Sequence, residues 1–396
     1  MQLHDLCKKI HGEILSSRFS KDEVPTPKTI RFLTAPVLLD ADTLYLADAA
    51  TAKQCLPACN APNGSLVVCS GDIPRSLSFQ VSIQFVAFRC ALPELYNRIF
   101  EYLLELRRNA DLEEESLRRK FAEIVEKNYS SGYQVDSICA TFPKTFKSSY
   151  CVICIQSMEA PGQAVRDEAL REDLKQLFPE DNITTYDNNT VIIHSYDGFT
   201  HPPKLPMAQL SELLKKYNAC AGVSNGIRKP SSLRVMYILS KRAMESGKIL
   251  MGKEKNVFIY DETMLFSVVA LAASSFREQF DNDDIILLGS PILANIIKHD
   301  PHGKRGLVET MFQYISNGGS TTKTAEVMHM HRNTVKNRIA LIEKIAGEPF
   351  FVDGMLSAKL LTTYYIMQYY TKVWNKNMVL SPLKEEFDTV VSGSDL

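Results

Sequence analysis

Over residues 1–90 the apolar positions have the spacing of short strands. Runs of apolar residues predict strands at 43–46 and 65–69. Residues 78–85 alternate polar and apolar side chains without a break, which predicts a strand with one buried face. The pattern therefore predicts a small mixed α/β domain over 1–90.

From position 92 to about 127 the apolar spacing changes to that of a helix. The apolar positions form two runs: Leu92, Leu95, Ile99, Tyr102 and Leu106, then Leu112, Leu117, Phe121, Ile124 and Val125. Such a seam suits a dimerisation or signalling helix that links a sensor to an effector domain. It equally suits an amphipathic helix that packs on its own domain, because the seam is too short to require a coiled coil. We expect a helical dimerisation linker over 91–130.

The segment 131–275 contains strand and helix patterns in the order β-α-β-β-α-β. They fall at 150–155, 163–178, 182–186, 190–194, 206–217 and 219–223, followed by a long helix at 230–246 and a strand at 257–260. Asp187-Asn188-Asn189 is a tight hairpin signal between the second and third strands. This order is that of ferredoxin-like and nucleotide-cyclase palm folds.

The remaining segment has helical spacing with short breaks, which predicts an all-α domain over 285–375. Helices are predicted at 291–299, 307–316 and 356–370, with two short helices between 320 and 347. Residues 275–284 look polar and connecting, and the segment 376–396 loses periodicity and is expected to be a tail. The fold class predicted from the whole pattern is a multidomain α+β protein.

Composition is that of an ordinary soluble globular protein, with 396 residues, 45% hydrophobic and 23% charged residues and a net charge of -1. The charge is unevenly distributed. Between 304 and 347 the cations outnumber the anions: Lys304, Arg305, Lys323, Arg332, Lys336, Arg338 and Lys344 against Glu309, Glu326 and Glu343. A locally basic segment on an otherwise acidic chain fits a nucleic-acid module attached to a sensor.

The nine cysteines are irregularly spaced, which favours a reducing compartment over a disulfide framework. Cys151 and Cys154 form a C-x-x-C, but on a strand residues three apart point to opposite faces, so buried core thiols are expected rather than a metal or redox pair. The N-terminus lacks the apolar core of a signal peptide, and no stretch approaches membrane-spanning length. We expect a cytoplasmic protein.

Residues 320–347 have the pattern of a helix-turn-helix, in which the second helix enters the major groove of DNA. Ala325 is small where the helices must cross, and Met328, Met330, Val335 and Ile339 form the expected apolar seam. His329 occupies the turn, where it can accept a left-handed backbone. A compact helical bundle with polar outer faces would give the same apolar spacing. Only the polar residues can therefore distinguish a helix-turn-helix from such a bundle.

Polar residues of the type that contact DNA lie outside this seam. Arg332 and Asn333 begin the second helix, where Arg can contact guanine bidentately and Asn can contact adenine. Lys323 and the hydroxyls before it are placed to hold phosphates. The complete set expected to contact a double-stranded operator is Thr321, Thr322, Lys323, His331, Arg332, Asn333, Thr334, Lys336, Asn337 and Arg338.

The same stretch resembles the C-terminal signature of the PucR/CdaR family of bacterial transcription regulators. The matching residues are His331, Arg332, Asn333, Thr334, Val335, Arg338, Ile339, Ile342, Glu343 and Gly347. The upstream run from His299 to Ile315 resembles the family's supporting helix, and 222–247 is similar to its middle GGDEF-like domain. The resemblance implies a homodimeric regulator with a small-molecule effector, such as a purine-degradation intermediate or a sugar diacid.

The middle segment lacks the residues that a diguanylate cyclase needs. Such an enzyme holds two metals and a triphosphate with carboxylates at the first strand end and on the hairpin. This chain has Gln156 at the first position, and Asp187 on the hairpin reads as a turn residue. We expect no catalytic residue, no metal site and no cofactor. A nucleotide-binding or cyclase-related signalling protein remains the alternative function, and a protein-binding adaptor a third.

Overall fold

The computed structural model describes most of the chain as two compact units, Met1–Ser116 and Leu117–Leu396. The described residues are 7–8, 14–18, 27, 29–40, 43–61, 65–74, 77, 82–129, 131–158, 164–198, 203–252, 255–300, 303–347, 349 and 354–375. The predicted tail at 376–396 lies outside them.

The first unit contains a five-stranded sheet with the order β1-β5-β4-β3-β2. Its strands are β1 (Ile14–Arg18), β2 (Thr29–Phe32), β3 (Thr43–Asp48), β4 (Leu66–Ser70) and β5 (Gln84–Phe88). Strands β2 to β5 pair in parallel, whereas β1 pairs antiparallel with β5. The strands predicted at 43–46 and 65–69 are confirmed as β3 and β4, and β2 forms one edge of the sheet.

Both faces of this sheet are covered, as parallel sheets require. Helix α1 (Ala49–Cys55) contributes Ala52 and Cys55 to the core on one face. Helix α2 (Leu92–Glu126) contributes Leu95 and Ile99 to the core on the other face.

The strand predicted at 78–85 overlaps the observed strand only at Gln84 and Phe85. Residues 78–81 lie outside the described part of the chain, and the strand that forms is β5, with every residue from Gln84 to Phe88 buried. The reason is that β5 lies between β1 and β4 and is covered on both faces. A strand of this kind has a continuous apolar sequence, so an alternating pattern does not mark it.

Helix α2 confirms the helix predicted at 92–127 and spans 35 residues without interruption. The first run of its apolar seam packs inside the first unit, where Leu95 and Ile99 are fully buried. In the second unit, Phe121 and Ile124 belong to the core. These four seam residues are therefore packed within the units, whereas Leu112 of the same seam is 60% exposed. The dimerisation role of the helix stays a prediction.

The second unit has its own five-stranded sheet, with the order β10-β9-β6-β8-β7. After α3 (Gly132–Cys139), the chain forms β6 (Ser149–Ser157), α4 (Ala164–Leu177), β7 (Asn182–Tyr186), β8 (Asn189–Tyr196), α5 (Met207–Lys216) and β9 (Ala219–Val223), then α6 (Leu233–Met251) and β10 (Val257–Ile259). Strands β6 to β9 pair antiparallel, and β10 pairs parallel with β9. The predicted β-α-β-β-α-β order is confirmed, with β10 added at the edge.

Cys151 and Cys154 lie on opposite faces of this sheet, as predicted. Cys154 belongs to the core on the side of α6, and Cys151 belongs to the core on the side of α4 and α5. Both are fully buried, and burial raises the pKa of the Cys154 thiol to about 12. A thiol of this kind stays protonated at neutral pH, so these residues act as small apolar core residues.

Residues 275–280, predicted to be part of a polar connection, are helical instead. Helix α7 (Tyr260–Phe280) runs through them and ends at Asp281, which adopts a left-handed backbone with φ 48°. Fourteen consecutive positions, 263–276, carry no charged residue, and Val269 and Ala273 pack against the closing helix of the chain. The polar residues of 275–284 indicated a connection because no apolar seam runs through them.

The C-terminal segment is entirely helical, as predicted. Its helices are α8 (Pro291–His299), α9 (Leu307–Ser316), α10 (Thr321–Val327), α11 (Arg332–Ala346) and α12 (Gly354–Lys372). A single apolar cluster holds residues from all five. None of the described helices combines the length and apolar character needed to cross a membrane.

Candidate DNA-binding surface

Helices α10 and α11 form a pair that rests on α9. Ala325 of α10 is buried, and Val335 and Ile339 of α11 are buried against the same cluster. Met330 packs on this cluster at partial burial, whereas Met328 is half-exposed outside it. The expected seam is therefore confirmed except for Met328, since buried Thr324 completes the inner face of the short helix α10.

The turn between the helices is closed by backbone hydrogen bonds. Met330 N–H donates to the carbonyl of Ala325 at 2.9 Å, and His329 N–H donates to Glu326 at 3.2 Å. His329 has φ 50°, the left-handed conformation predicted for this position. The tight turn lets the small side chain of Ala325 sit at the crossing and fixes the direction in which α11 begins.

The predicted DNA-contacting residues occupy the outer surface of the pair. Eight of them are exposed: Thr322, Lys323, His331, Arg332, Asn333, Thr334, Lys336 and Asn337. Thr321 is half-exposed beside them. They form one polar surface across the start of α10 and the first turns of α11.

Arg332 is held in place within this surface. Its Nε donates to the hydroxyl of Thr321 at 3.3 Å, a contact that links the two helices. Because the contact uses Nε, both terminal guanidinium nitrogens keep the fork geometry that matches O6 and N7 of guanine. Thr321 thus orients the arginine, in addition to the phosphate contact predicted from the sequence.

His331 is the N-cap of α11. Its Nδ1 accepts a hydrogen bond from the backbone N–H of Asn333 at 3.2 Å. A cap residue satisfies one of the free N–H groups at the start of a helix and fixes where the helix begins. The side chain that was expected to contact DNA therefore also sets the position of Arg332 and Asn333.

Arg338 differs from the rest of the predicted set. It is half-buried, and its Nη1 donates to the hydroxyl of Thr310 in α9 at 3.1 Å. Thr310 is fully buried and in turn donates to the carbonyl of Gly306 at 2.6 Å. Arg338 therefore ties α11 to α9, a positioning role that the sequence did not indicate, and its contact with DNA stays a prediction.

The charge of this surface has one sign. From position 327 to 342 the sequence contains Arg332, Lys336 and Arg338 and no acidic residue. Cations on the exposed first turns of α11, with no carboxylate in that stretch, suit a phosphate backbone. The exposed Glu326 lies before it, in α10.

A comparison with protein families decides what this helix pair is. The model of the PucR C-terminal helix-turn-helix domain matches residues 307–351, which covers α9, α10 and α11. Residues 307–351 are a PucR-type helix-turn-helix domain. With this domain the chain is a DNA-binding transcription regulator.

Comparison with whole proteins adds little to the PucR match. No curated protein matches the chain. Among solved structures, it is similar to the regulator of polyketide synthase expression from Bifidobacterium adolescentis, with 15% identity over 64% of this chain and 92% of that one. The TM-score of 0.31 is too low for that likeness to support an argument about fold or function.

Asp300 organises the chain that precedes the PucR domain. This carboxylate is 8% exposed, and its oxygens accept hydrogen bonds from the backbone N–H groups of Arg305 at 3.0 Å and Leu307 at 3.2 Å. Gly306 lies between them with φ 60°, a conformation that favours glycine. Asp300 therefore defines how the chain enters α9, the helix on which the DNA-reading pair rests.

We expect Asp300→Ala to lower the free energy of unfolding of the second unit by about 2–3 kcal/mol. The change leaves the N–H of Leu307 buried without an acceptor, and an unsatisfied buried donor costs about 1–3 kcal/mol. Chemical denaturation of the full chain measures this loss. The matched control is Asp283→Ala, which removes an exposed ion pair with Arg277 and should cost less than about 1 kcal/mol. Equal losses in the two variants would contradict the assignment.

A cyclase would hold its metals at the end of β6 and in the hairpin turn between β7 and β8. Gln156, at the end of β6, accepts a hydrogen bond from the ammonium group of Lys248 at 2.7 Å. Asp187, in the hairpin turn with φ 51°, pairs with Lys241 at 2.7 Å, and this hydrogen bond raises the pKa of Lys241. Ammonium groups stand at both positions, where a catalytic site would need free carboxylates. Among the described residues, no group of His, Cys, Asp and Glu side chains is placed to hold a metal ion.

Proposed function

We propose that the chain is a sequence-specific transcription regulator that reads its operator with α11. The observation that carries the proposal is the exposed, acid-free polar surface at the start of α11 within the PucR domain. A recognition helix contacts base edges with its N-terminal residues, and α11 begins at Arg332. The oriented guanidinium of Arg332 and the neighbouring amide of Asn333 contact bases in this proposal, as do Thr334 and Asn337.

The residues at the start of α10 hold the DNA backbone. Lys323 and Thr322 are exposed there, and Lys336 lies one turn into α11. Contacts of this kind fix the register of the helix on the duplex without reading the sequence. Affinity for any DNA then depends on these cations, and preference for one operator depends on Arg332 and Asn333.

The regulator acts as a homodimer in this proposal. Two copies of α11 must lie about 34 Å apart to enter successive major grooves. Residues 1–90 form the sensor domain, 91–130 the linker, 131–275 a GGDEF-like domain without catalytic function, and 285–375 the DNA-binding domain. A metabolite of the purine-catabolism or sugar-diacid type is the effector class that the family resemblance suggests. The effector changes the spacing of the two helices by binding one arrangement more tightly than the other.

Binding of the purified full chain to DNA upstream of its own gene tests the proposal. We expect saturable binding that survives an excess of random-sequence competitor, with an affinity that falls as salt rises because counterions are released from the phosphates. Titrations at two salt concentrations separate the two contributions. Binding that competitor DNA abolishes at both salt concentrations would contradict sequence-specific recognition.

A further inference from the structure

The first unit contains a half-open cavity of about 140 Å³ between the edge strand β2 and helix α2. Its lining residues are Pro27, Thr29, Ile30, Tyr96, Phe100, Leu103, Leu104 and Arg107. The α2 residues among them are spaced along one face of the helix, so one wall of the cavity is a continuous helical surface. Leu103 also belongs to the buried cluster with Leu95 and Ile99, whereas Phe100 and Leu104 lie outside that cluster and are exposed.

The walls of the cavity are apolar and ordered by ring stacking. The rings of Tyr96 and Phe100 are nearly parallel, with centroids 6.0 Å apart, and Phe32 stacks on Tyr96 at 5.8 Å. Phe100 is 45% exposed and Leu104 is 49% exposed. Large apolar side chains at this level of exposure beside a concave site are typical of a ligand site.

Arg107 is the charged residue in the described lining of the cavity. Arg107 lies one turn beyond Leu103 and Leu104 on the same helix face. A guanidinium has five N–H donors, and its fork matches the two oxygens of a carboxylate. The described lining contains no Asp or Glu that would oppose an anion.

The volume limits the size of the apolar part. An engineered cavity of about 150 Å³ lined by aliphatic and aromatic side chains binds benzene. A cavity of about 140 Å³ with a similar lining therefore accepts a body of one six-membered ring or a short branched chain.

From these features we propose that the cavity binds a small monocarboxylate with an apolar body the size of a benzene ring. The ring lies between Ile30 and the Tyr96–Phe100 wall, and the carboxylate faces Arg107. A sugar diacid fits poorly, because its hydroxyls and second carboxylate would be placed against apolar walls without donors. This ligand takes the place of the effector class that the family resemblance suggests, a step that rests on the proposed function as a regulator.

The effect of ligand binding can reach the second unit through helix α2. The cavity wall is part of α2, and the same uninterrupted helix carries Phe121 and Ile124 into the core of the second unit. A ligand that binds one position of α2 more tightly than another shifts the population of that position.

Calorimetric titration of the full chain with benzoate tests the site without DNA. We expect saturable binding of benzoate and binding of benzamide, which has the same ring but no charge, that is at least ten times weaker. Arg107→Met should weaken benzoate binding at least tenfold, whereas Arg108→Met should leave it unchanged, because Arg108 is exposed on α2 but does not line the cavity. Leu104→Trp should fill the cavity and abolish binding with an unchanged melting temperature, since Leu104 is half-exposed.

The outcomes separate the site from the function. Absence of saturable benzoate binding, or equal binding of benzoate and benzamide, would overturn the proposal. Equal losses in Arg107→Met and Arg108→Met would overturn it as well. If the chain binds benzoate but does not bind DNA, the site stands and the regulatory function fails. Operator affinity that changes with benzoate in the native chain and not in Leu104→Trp would support both.

Discussion

We expect Gly222→Ala to destabilise the second unit by about 3 kcal/mol or more, the upper range for overpacking of a core. Gly222 lies in β9, where α6 crosses the sheet so closely that an added Cβ would stand 1.9 Å from the carbonyl oxygen of Ser240 and 2.7 Å from the backbone nitrogen of Met244. Both atoms belong to the helix backbone, which side-chain rotation cannot move. Helix α6 would have to lift from the sheet and expose the core beneath it.

Thermal unfolding of the full chain measures this effect, with Gly354→Ala as the matched control. The control makes the same chemical change in α12, where an added Cβ meets nothing within 4 Å. A loss of about 3 kcal/mol corresponds to a melting temperature lower by about 6–12 °C in a unit of this size. The control should melt at the native temperature or slightly above it, because alanine favours a helix over glycine. Equal melting temperatures would show that α6 does not pack on β9 at this distance.

Close approach of this kind is a feature that the apolar pattern of the sequence does not contain. The pattern predicted α6 and β9 correctly, because each has the period of its own secondary structure. That Gly222 and Gly247 are the points of contact depends on the packing of elements distant in sequence. An added Cβ at Gly247 would likewise stand 2.2 Å from the ring of Phe258.

The two errors in the fold have different physical origins. Strand β5 is covered on both faces and shows no alternation. The last turns of α7 contain Ser274 and Ser275, whose polarity suggested a connection, although α7 continues to Phe280. These serines lie on the exposed side of α7, whereas Ala273 and Phe276 on its other side are buried.

The candidate site was predictable to the extent that its residues are exposed. Exposed polar side chains at the start of α11, such as Asn333 and Lys336, follow from helical spacing, because the buried positions Val335 and Ile339 fix the other face. The role of Arg338 did not follow, since it depends on the hydroxyl of Thr310 in another helix. Partners of this kind are brought together by the tertiary fold.

The capping groups show the same limit. Asp300 precedes the helix it supports by several residues and acts through a loop with Gly306 in a left-handed conformation. The sequence showed an Asp-containing break and gave no sign of which N–H groups it would satisfy. His331 is an unusual cap residue, since Ser, Thr, Asp and Asn are preferred at this position.

We expect Asn333→Ala and Arg332→Ala each to reduce affinity for the operator by about 1–3 kcal/mol, a factor of about 5 to 150, and to relax the preference for it over random DNA. Both residues are exposed in the first turn of α11, and each can contact one base with two hydrogen bonds. Asn333 is uncharged, so its removal should leave the slope of affinity against salt and the affinity for random DNA unchanged. That combination identifies a base contact, since loss of a phosphate contact weakens binding to every sequence.

The matched control is Lys344→Ala, in the last turn of the same helix. Lys344 is exposed, and Lys344→Ala removes one positive charge, as Arg332→Ala does. At 1.5 Å per residue, however, Lys344 lies about 18 Å along the helix axis from Arg332. If α11 reads bases with its first turn, Arg332→Ala should reduce operator affinity far more than Lys344→Ala does. Similar losses in the two variants would mean that α11 attracts DNA by its charge alone, wherever that charge lies on the helix. The residues that read the sequence would then lie elsewhere in the PucR domain. Titration of all three variants against operator and random DNA at the same two salt concentrations decides between these mechanisms.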